Sequence, residues 1–163
     1  MKSSKITHTR TISRRRFVAD ASRAVTAFTI LPRHVLGGPA YTPPSKKLNV
    51  ACIGVGSQGT RVMMEFLMQP DVQVVSVCDV NKESSDYSEW GANELRDKER
   101  ELLGDSSWGS DWKGCVCGRE PARRLVEAYY GRNKPTGQYR GCTAHNDFRE
   151  LLEKEKDVDA VIV

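Results

Sequence analysis

Three glycines and one acid are the residues of this chain whose types and spacing could act together on a ligand. Gly54, Gly56 and Gly59 punctuate "VACIGVGSQGTRVMMEFL", Val50 to Leu67, and Asp79 follows twenty residues after Gly59. Between a strand and a helix, Gly-x-Gly-x-x-Gly serves three purposes. The first glycine permits a tight turn, the second lets a pyrophosphate approach the backbone, and the third lets helix and strand pack closely. The helix start then offers free N–H groups and a partial positive charge to phosphate. A carboxylate at the end of the next strand accepts hydrogen bonds from ribose hydroxyls. The ligand implied is a dinucleotide. The same glycines would also serve a bare turn, so the flanking elements decide.

Those elements fit. Leu48 to Ile53, "LNVACI", is a short apolar run suited to a strand buried on both faces. From Gln58 to Met68 the pattern turns helical, with Val62, Met63, Phe66 and Leu67 at helix spacing. Pro70-Asp71 ends the helix, and "VQVVSVCD", Val72 to Asp79, is a second strand ending in the acid. Asp79 belongs where an adenine-ribose carboxylate sits. Its charge repels a 2′-phosphate, so NAD is favoured over NADP. A plain cap for the following helix is its other reading.

Beyond Asp79 the chain departs from a minimal crossover, with a helical insertion expected over about 83–138. Glu83 to Gly104 reads as a mostly exposed, charged helix and Asp105 to Gly118 as a loop. Arg119 to Gly131 reads as a second helix, with Leu125, Val126 and Tyr129 on one face. Tyr139 to Ala144 is expected as the third strand. Asp147 with Glu150 forms a candidate capping box for a short helix, and Asp157 to Val163 is expected as a buried fourth strand. The fold class is therefore α/β, a partial doubly wound parallel sheet of Rossmann type, truncated after its fourth strand.

Charge separates a leader from this body. Ten basic residues against Asp20 alone give residues 1–47 a charge of +9, so the other 116 carry −5 within the net +4. The body is mildly acidic, which argues against nucleic acid as a partner. No run reaches the eighteen or so apolar residues of a membrane span. Ser13-Arg14-Arg15-Arg16-Phe17-Val18 has the form of a twin-arginine export signal, and "AVTAFTILP" and a Pro/Gly-rich stretch follow it in order. A disordered basic tail is the plainer reading. "GGPAYTPPSKK" is a linker, which gives a leader and linker over 1–46 and a nucleotide-binding domain over 47–163. The expected address is the periplasm, with the twin-arginine translocase as export partner.

Five cysteines add a second set of chemistry-bearing residues. Cys52 and Cys78 fall in strands and read as small core residues. Cys115-x-Cys117 and Cys142-x-x-His145 supply four soft ligands, at a spacing that matches no ordinary zinc module. Metal, a disulfide and free thiols are all open, and free thiols are the commonest outcome. Trp90, Trp108, Trp112, Tyr129 and Tyr130 could stack on a sugar ring, or pin the insertion to the domain. His8 and His34 have no assigned role, and the charge-rich stretch 92–101 reads as a solvated face.

With these residues placed, the chain resembles the Gfo/Idh/MocA family of nicotinamide-dependent oxidoreductases. The carriers are "NVACIGVGSQG", "VVSVCDV" and "DFRELLEKEKDVDAVIV", over about Lys47 to Val163, with a leader similar to that of exported bacterial members. The resemblance implies a Rossmann domain followed by a second α/β domain whose open sheet covers the nicotinamide. It implies hydride transfer on a sugar or cyclitol-like substrate, and a homo-oligomer is compatible with it. Gly54, Gly56, Gly59 and Asp79 match the family's cofactor site, and Val55, Ser57 and Gln58 match the turn against the pyrophosphate. The family's catalytic lysine and acid/base residue would lie beyond Val163, so no catalytic residue is assigned. An NAD-dependent glycosidase of the same family and a non-catalytic nucleotide-binding fragment are the alternatives.

The export reading has a direct test. Replacing Arg14 and Arg15 together by Lys is expected to leave the product in the cytoplasm of its host, as read by cell fractionation. Unchanged export of the double variant would discard the signal.

Overall fold

The computed structural model describes residues 46–163. The export signal, nearly all of the linker, and His8 and His34 lie outside the described residues. Four strands form one parallel sheet: β1 (Leu48–Ile53), β2 (Val72–Cys78), β5 (Thr143–His145) and β6 (Ala160–Ile162), in the order β5-β2-β1-β6. Between them come α1 (Ser57–Leu67), the small strands β3 (Ser84–Tyr87) and β4 (Cys115–Cys117), and helices α2 (Glu94–Leu103), α3 (Arg119–Gly131) and α4 (Phe148–Lys154). In this order the third and fourth sheet strands lie outside the first two, on opposite edges. That is the arrangement of a partial Rossmann-like sheet, as the alternation of apolar runs and helical patterns implies.

The pleat sorts the core into two layers. Val50 and Cys52 of β1 join Met63 of α1 and Leu125 of α3 in one buried cluster. Ala51, between them in sequence, joins Cys78 and Leu151 of α4 in the other. Successive strand residues point to opposite faces, so α1 and α3 cover one face and α4 the other. β1 pairs with β2 from Leu48↔Val72 to Ile53↔Cys78, with one register shift between Val50 and Ala51. Gly54 N–H then donates to the Cys78 carbonyl at 2.8 Å, so both strands end at the same level.

Several boundaries differ from the sequence reading. The third strand is Thr143–His145, not Tyr139 to Ala144. Tyr139 is taken up elsewhere: its ring packs edge-on against Tyr130 at 5.3 Å, and its hydroxyl accepts from Gln73 Nε2 at 2.9 Å. The fourth strand is shorter than expected and exposed rather than buried, because β6 pairs with β1 alone. Asp147 caps α4 by accepting from Arg149 N–H at 2.8 Å, whereas Glu150 pairs with Lys154 instead of closing a capping box.

The insertion differs most. Its expected helix from Glu83 begins only at Glu94, after Asn93 adopts a left-handed conformation at φ 63°. Ser84–Tyr87 instead pairs antiparallel with Cys115–Cys117, inside the stretch expected as a loop. The supposed solvated helix also buries Leu95 and Glu99. Trp108 Nε1 donates to Glu99 Oε2 at 2.8 Å, and Trp112 packs edge-on against Trp108 at 5.7 Å. Tyr130 accepts from Val74 N–H at 2.9 Å. Trp108, Tyr129 and Tyr130 pack against the shared core and so pin the insertion to the domain, whereas Trp112 stays within the insertion. Trp90 differs: it is exposed, with the Arg61 guanidinium 5.2 Å from its ring centre.

Burial drives the Glu99 carboxyl up to about 7, against the Trp108 hydrogen bond that lowers it. The folded state therefore keeps its proton between pH 4.5 and 7 while the unfolded state releases it, and stability falls as pH rises through that window. Glu99→Gln cannot ionise and retains an acceptor for Trp108. It is expected to gain about 2–3 kcal/mol relative to the parent between pH 5 and pH 8, measured by urea denaturation. A difference independent of pH would count against the assignment.

Candidate functional site

The site lies at the carboxyl ends of β1, β2 and β5, where open parallel sheets bind ligands. Gly54 sits at φ +79°, a conformation that a side chain resists, and turns the chain out of β1. A Cβ on Gly59 would fall inside the Gly54 carbonyl oxygen. No other residue allows α1 to start so close to the end of β1. Val55 turns its side chain fully into the core. Its carbonyl accepts from Thr60 Oγ1 at 3.2 Å and from Gly118 N–H at 3.2 Å. Gly56 is the cap residue of α1, no side chain caps that helix, and its first turn holds no acid. The N–H groups of Ser57, Gln58 and Gly59 belong to this uncapped first turn, which fits an anionic group.

Asp79 is buried at the end of β2. Its Oδ1 accepts from Asn81 N–H at 2.9 Å and from the Tyr87 hydroxyl at 3.2 Å. The Asn81 bond closes a small turn, and no helix follows for Asp79 to cap, contrary to that alternative reading. Asn81 Nδ2 also donates to the Tyr87 oxygen at 2.9 Å. Burial raises the Tyr87 phenol above its ordinary value, with Asp79 adding to the rise and the Asn81 bond opposing it. Tyr87 is therefore protonated and donates. Arg119 Nη1 donates to the carbonyls of both Asp79 and Val80 at 3.1 Å, which fixes the backbone on either side of this bond.

A crevice of about 280 Å³ opens between Gly54, Asp79 and the segment after β5, where Asn146, Phe148 and Arg149 line it. These three residues, with Tyr87, Asn81 and Arg119, went unnoticed in the sequence. The general rule that ligands sit beyond strand ends would have pointed to Asn146. Nothing local marks the others.

The soft-ligand set is not brought together. Cys115 and Cys117 lie with sulfurs 3.5 Å apart. His145 Nε2 is instead 2.8 Å from Glu155 Oε1, which also accepts from Thr143 Oγ1 at 2.7 Å. Among the described residues, no three such side chains are grouped to hold a metal, and all five cysteines are free thiols.

Comparison with known proteins finds a relative for part of the chain. The chain is 38% identical over 69 residues to a glycosyl hydrolase family 109 protein of Stenotrophomonas maltophilia (strain K279a). The match takes in 42% of this chain and 14% of that protein, so the chain spans a small part of its relative's length. That family is of Gfo/Idh/MocA type. No family model matches the chain, and no solved structure matches it significantly.

The turn makes a quantitative expectation. Gly59→Ala meets backbone and is expected to cost about 3 kcal/mol, while Gly54→Ala meets only an unfavourable φ, at about 1–2 kcal/mol. Urea denaturation of both variants checks this, and a reversed order would contradict the close approach at Gly59.

Proposed function

We propose that residues 47–163 bind NAD and form the nucleotide-binding part of a nicotinamide-dependent enzyme acting on sugar-like substrates. The observation that carries this reading is one juxtaposition. Gly54, whose turn leads into the uncapped start of α1, lines one crevice together with Asp79. Ser57 and Gln58, with the turn at Val55 and Gly56, would hold the pyrophosphate through backbone N–H groups. Asp79 would hold the adenine ribose and disfavour a 2′-phosphate, so NAD is preferred to NADP. The bound nicotinamide supplies a hydride acceptor and donor, and this part of the chain binds and orients it.

The name of the relative favours one branch of that chemistry. In a glycosidase of this kind the bound nicotinamide would supply a transient hydride acceptor, so that sugar cleavage leaves no net NADH. A dehydrogenase, by contrast, forms NADH in net amount. A protein exported through the twin-arginine pathway folds before crossing and would carry its nucleotide with it. That suits a cofactor regenerated in each turnover. Sugar cleavage without net NADH, in a chain that continues into a substrate domain, would select the glycosidase. Net NADH would select the dehydrogenase.

Calorimetric titration of the 163-residue chain with NAD tests the binding reading. Binding is expected to be tighter for NAD than for NADP, and Asp79→Ala is expected to weaken NAD by about tenfold to a hundredfold. Equal affinity of parent and variant would remove Asp79 from the site.

A further inference from the structure

Tyr87 of the insertion stands where the ligand of that site would lie. Its ring edge takes the space that the missing side chain of Gly56 leaves. A Cβ there would be 2.6 Å from Tyr87 Cε1 and 3.1 Å from Cδ1. A pyrophosphate laid against the Gly56 backbone needs the same space. Its hydroxyl, at the same time, donates to Asp79 Oδ1, the atom offered to a ribose hydroxyl. One side chain thus occupies both ends of the ribose–phosphate path.

The ring packs against the edge of the core, and its hydroxyl is held by Asp79 and Asn81. Tyr87 closes β3, at the irregular end of its pairing with β4, where Asp86 and Tyr87 both face Cys115. The ring is half-buried and borders solvent. Asn81 sits across the same bond, so a departing phenol leaves Asp79 still holding the Asn81 N–H. Neither the Gly54 turn nor the Arg119 contacts need to move. Few hydrogen bonds hold the ring in place, and water or a ribose hydroxyl can replace each of them.

Resting on the dinucleotide reading above, the geometry points to Tyr87 as a gate on the site. In its seat the phenol stands in for ribose and phosphate, and NAD binds to the state in which it has swung out. The apparent affinity is then the intrinsic affinity reduced by the fraction of open chains. The insertion that carries β3 sets that fraction.

The test is titration of the full 163-residue chain with NAD, in the parent, Tyr87→Ala and Tyr87→Phe. Tyr87→Ala empties the seat and is expected to tighten binding about tenfold. Tyr87→Phe keeps the ring over Gly56 but releases Asp79, and is expected to tighten binding by about threefold. Should Tyr87→Ala fail to fold, as judged by circular dichroism, Tyr87→Phe decides alone. Binding by a variant but not by the parent would also support the gate. Binding by the parent that the variants leave unchanged or weaken would overturn it, since a ring that contacts nucleotide behaves that way. Binding by none of the three would overturn the dinucleotide reading, and the gate with it.

Discussion

The approach of Gly59 to the Gly54 carbonyl is the contact on which the rest of the site depends. It sets how near α1 begins to the end of β1. From that one distance follow the direction of the helix and the placement of its free N–H groups beyond the sheet. The β1–β2 register then brings Gly54 and Cys78 level, so Asp79 emerges beside the turn rather than a residue short of it. A side chain at the third glycine would push the helix outward and separate its uncapped start from Asp79. The helix is held from behind by Met63, Met64 and Leu67 in the core, so there is little room to absorb such a shift.

The insertion is joined to this turn as much as to the core. Gly118 donates to the Val55 carbonyl, Arg119 and Glu120 N–H groups bond to Asn81 and Lys82, and the Arg119 guanidinium holds the carbonyls of Asp79 and Val80. The segment after β2 is therefore fixed from the insertion side. Leu95, Cys115 and Cys117 belong to the same buried cluster as Val50 and Val74, so the inserted elements share one core with the sheet. Such an insertion can orient a binding residue by fixing the backbone beside it, as these bonds do at Asp79.

How far the sequence could be read follows from the range of its signals. β1, α1, β2 and α3 carry continuous apolar runs or helical spacing, and those elements appear where expected. The glycine spacing likewise announces a turn because each glycine answers a local need. β3 and β4 give no such signal. "SSDY" and "CVC" are too short to show alternation, and what makes them strands is each other, about thirty residues apart. Tyr139 left its expected strand for a ring contact with Tyr130 and a hydrogen bond from the distant Gln73. The Tyr87–Asp79 bond is of the same kind. It depends on a pairing that only the folded chain contains, so Gly56 was legible as a glycine but its neighbour was not.

The reactive side chains of the described residues support a division between binding and chemistry. A nucleophilic thiol must ionise, yet burial pushes Cys52 up to about 12 and raises Cys78, Cys115, Cys117 and Cys142 as well. His145, at the carboxyl end of the edge strand β5, is hydrogen-bonded to Glu155. Glu99, the acid held near neutrality, is spent on Trp108 inside the insertion, away from the crevice. Asp79 and Gly54 line the crevice, the uncapped helix start follows Gly54 two residues on, and the Tyr87 phenol lies against both Asp79 and Gly56. Groups of that kind recognise and position a nucleotide. Proton transfer to a substrate requires a titrating group beside the reacting carbon, and the five thiols and Glu99 lie in the core instead.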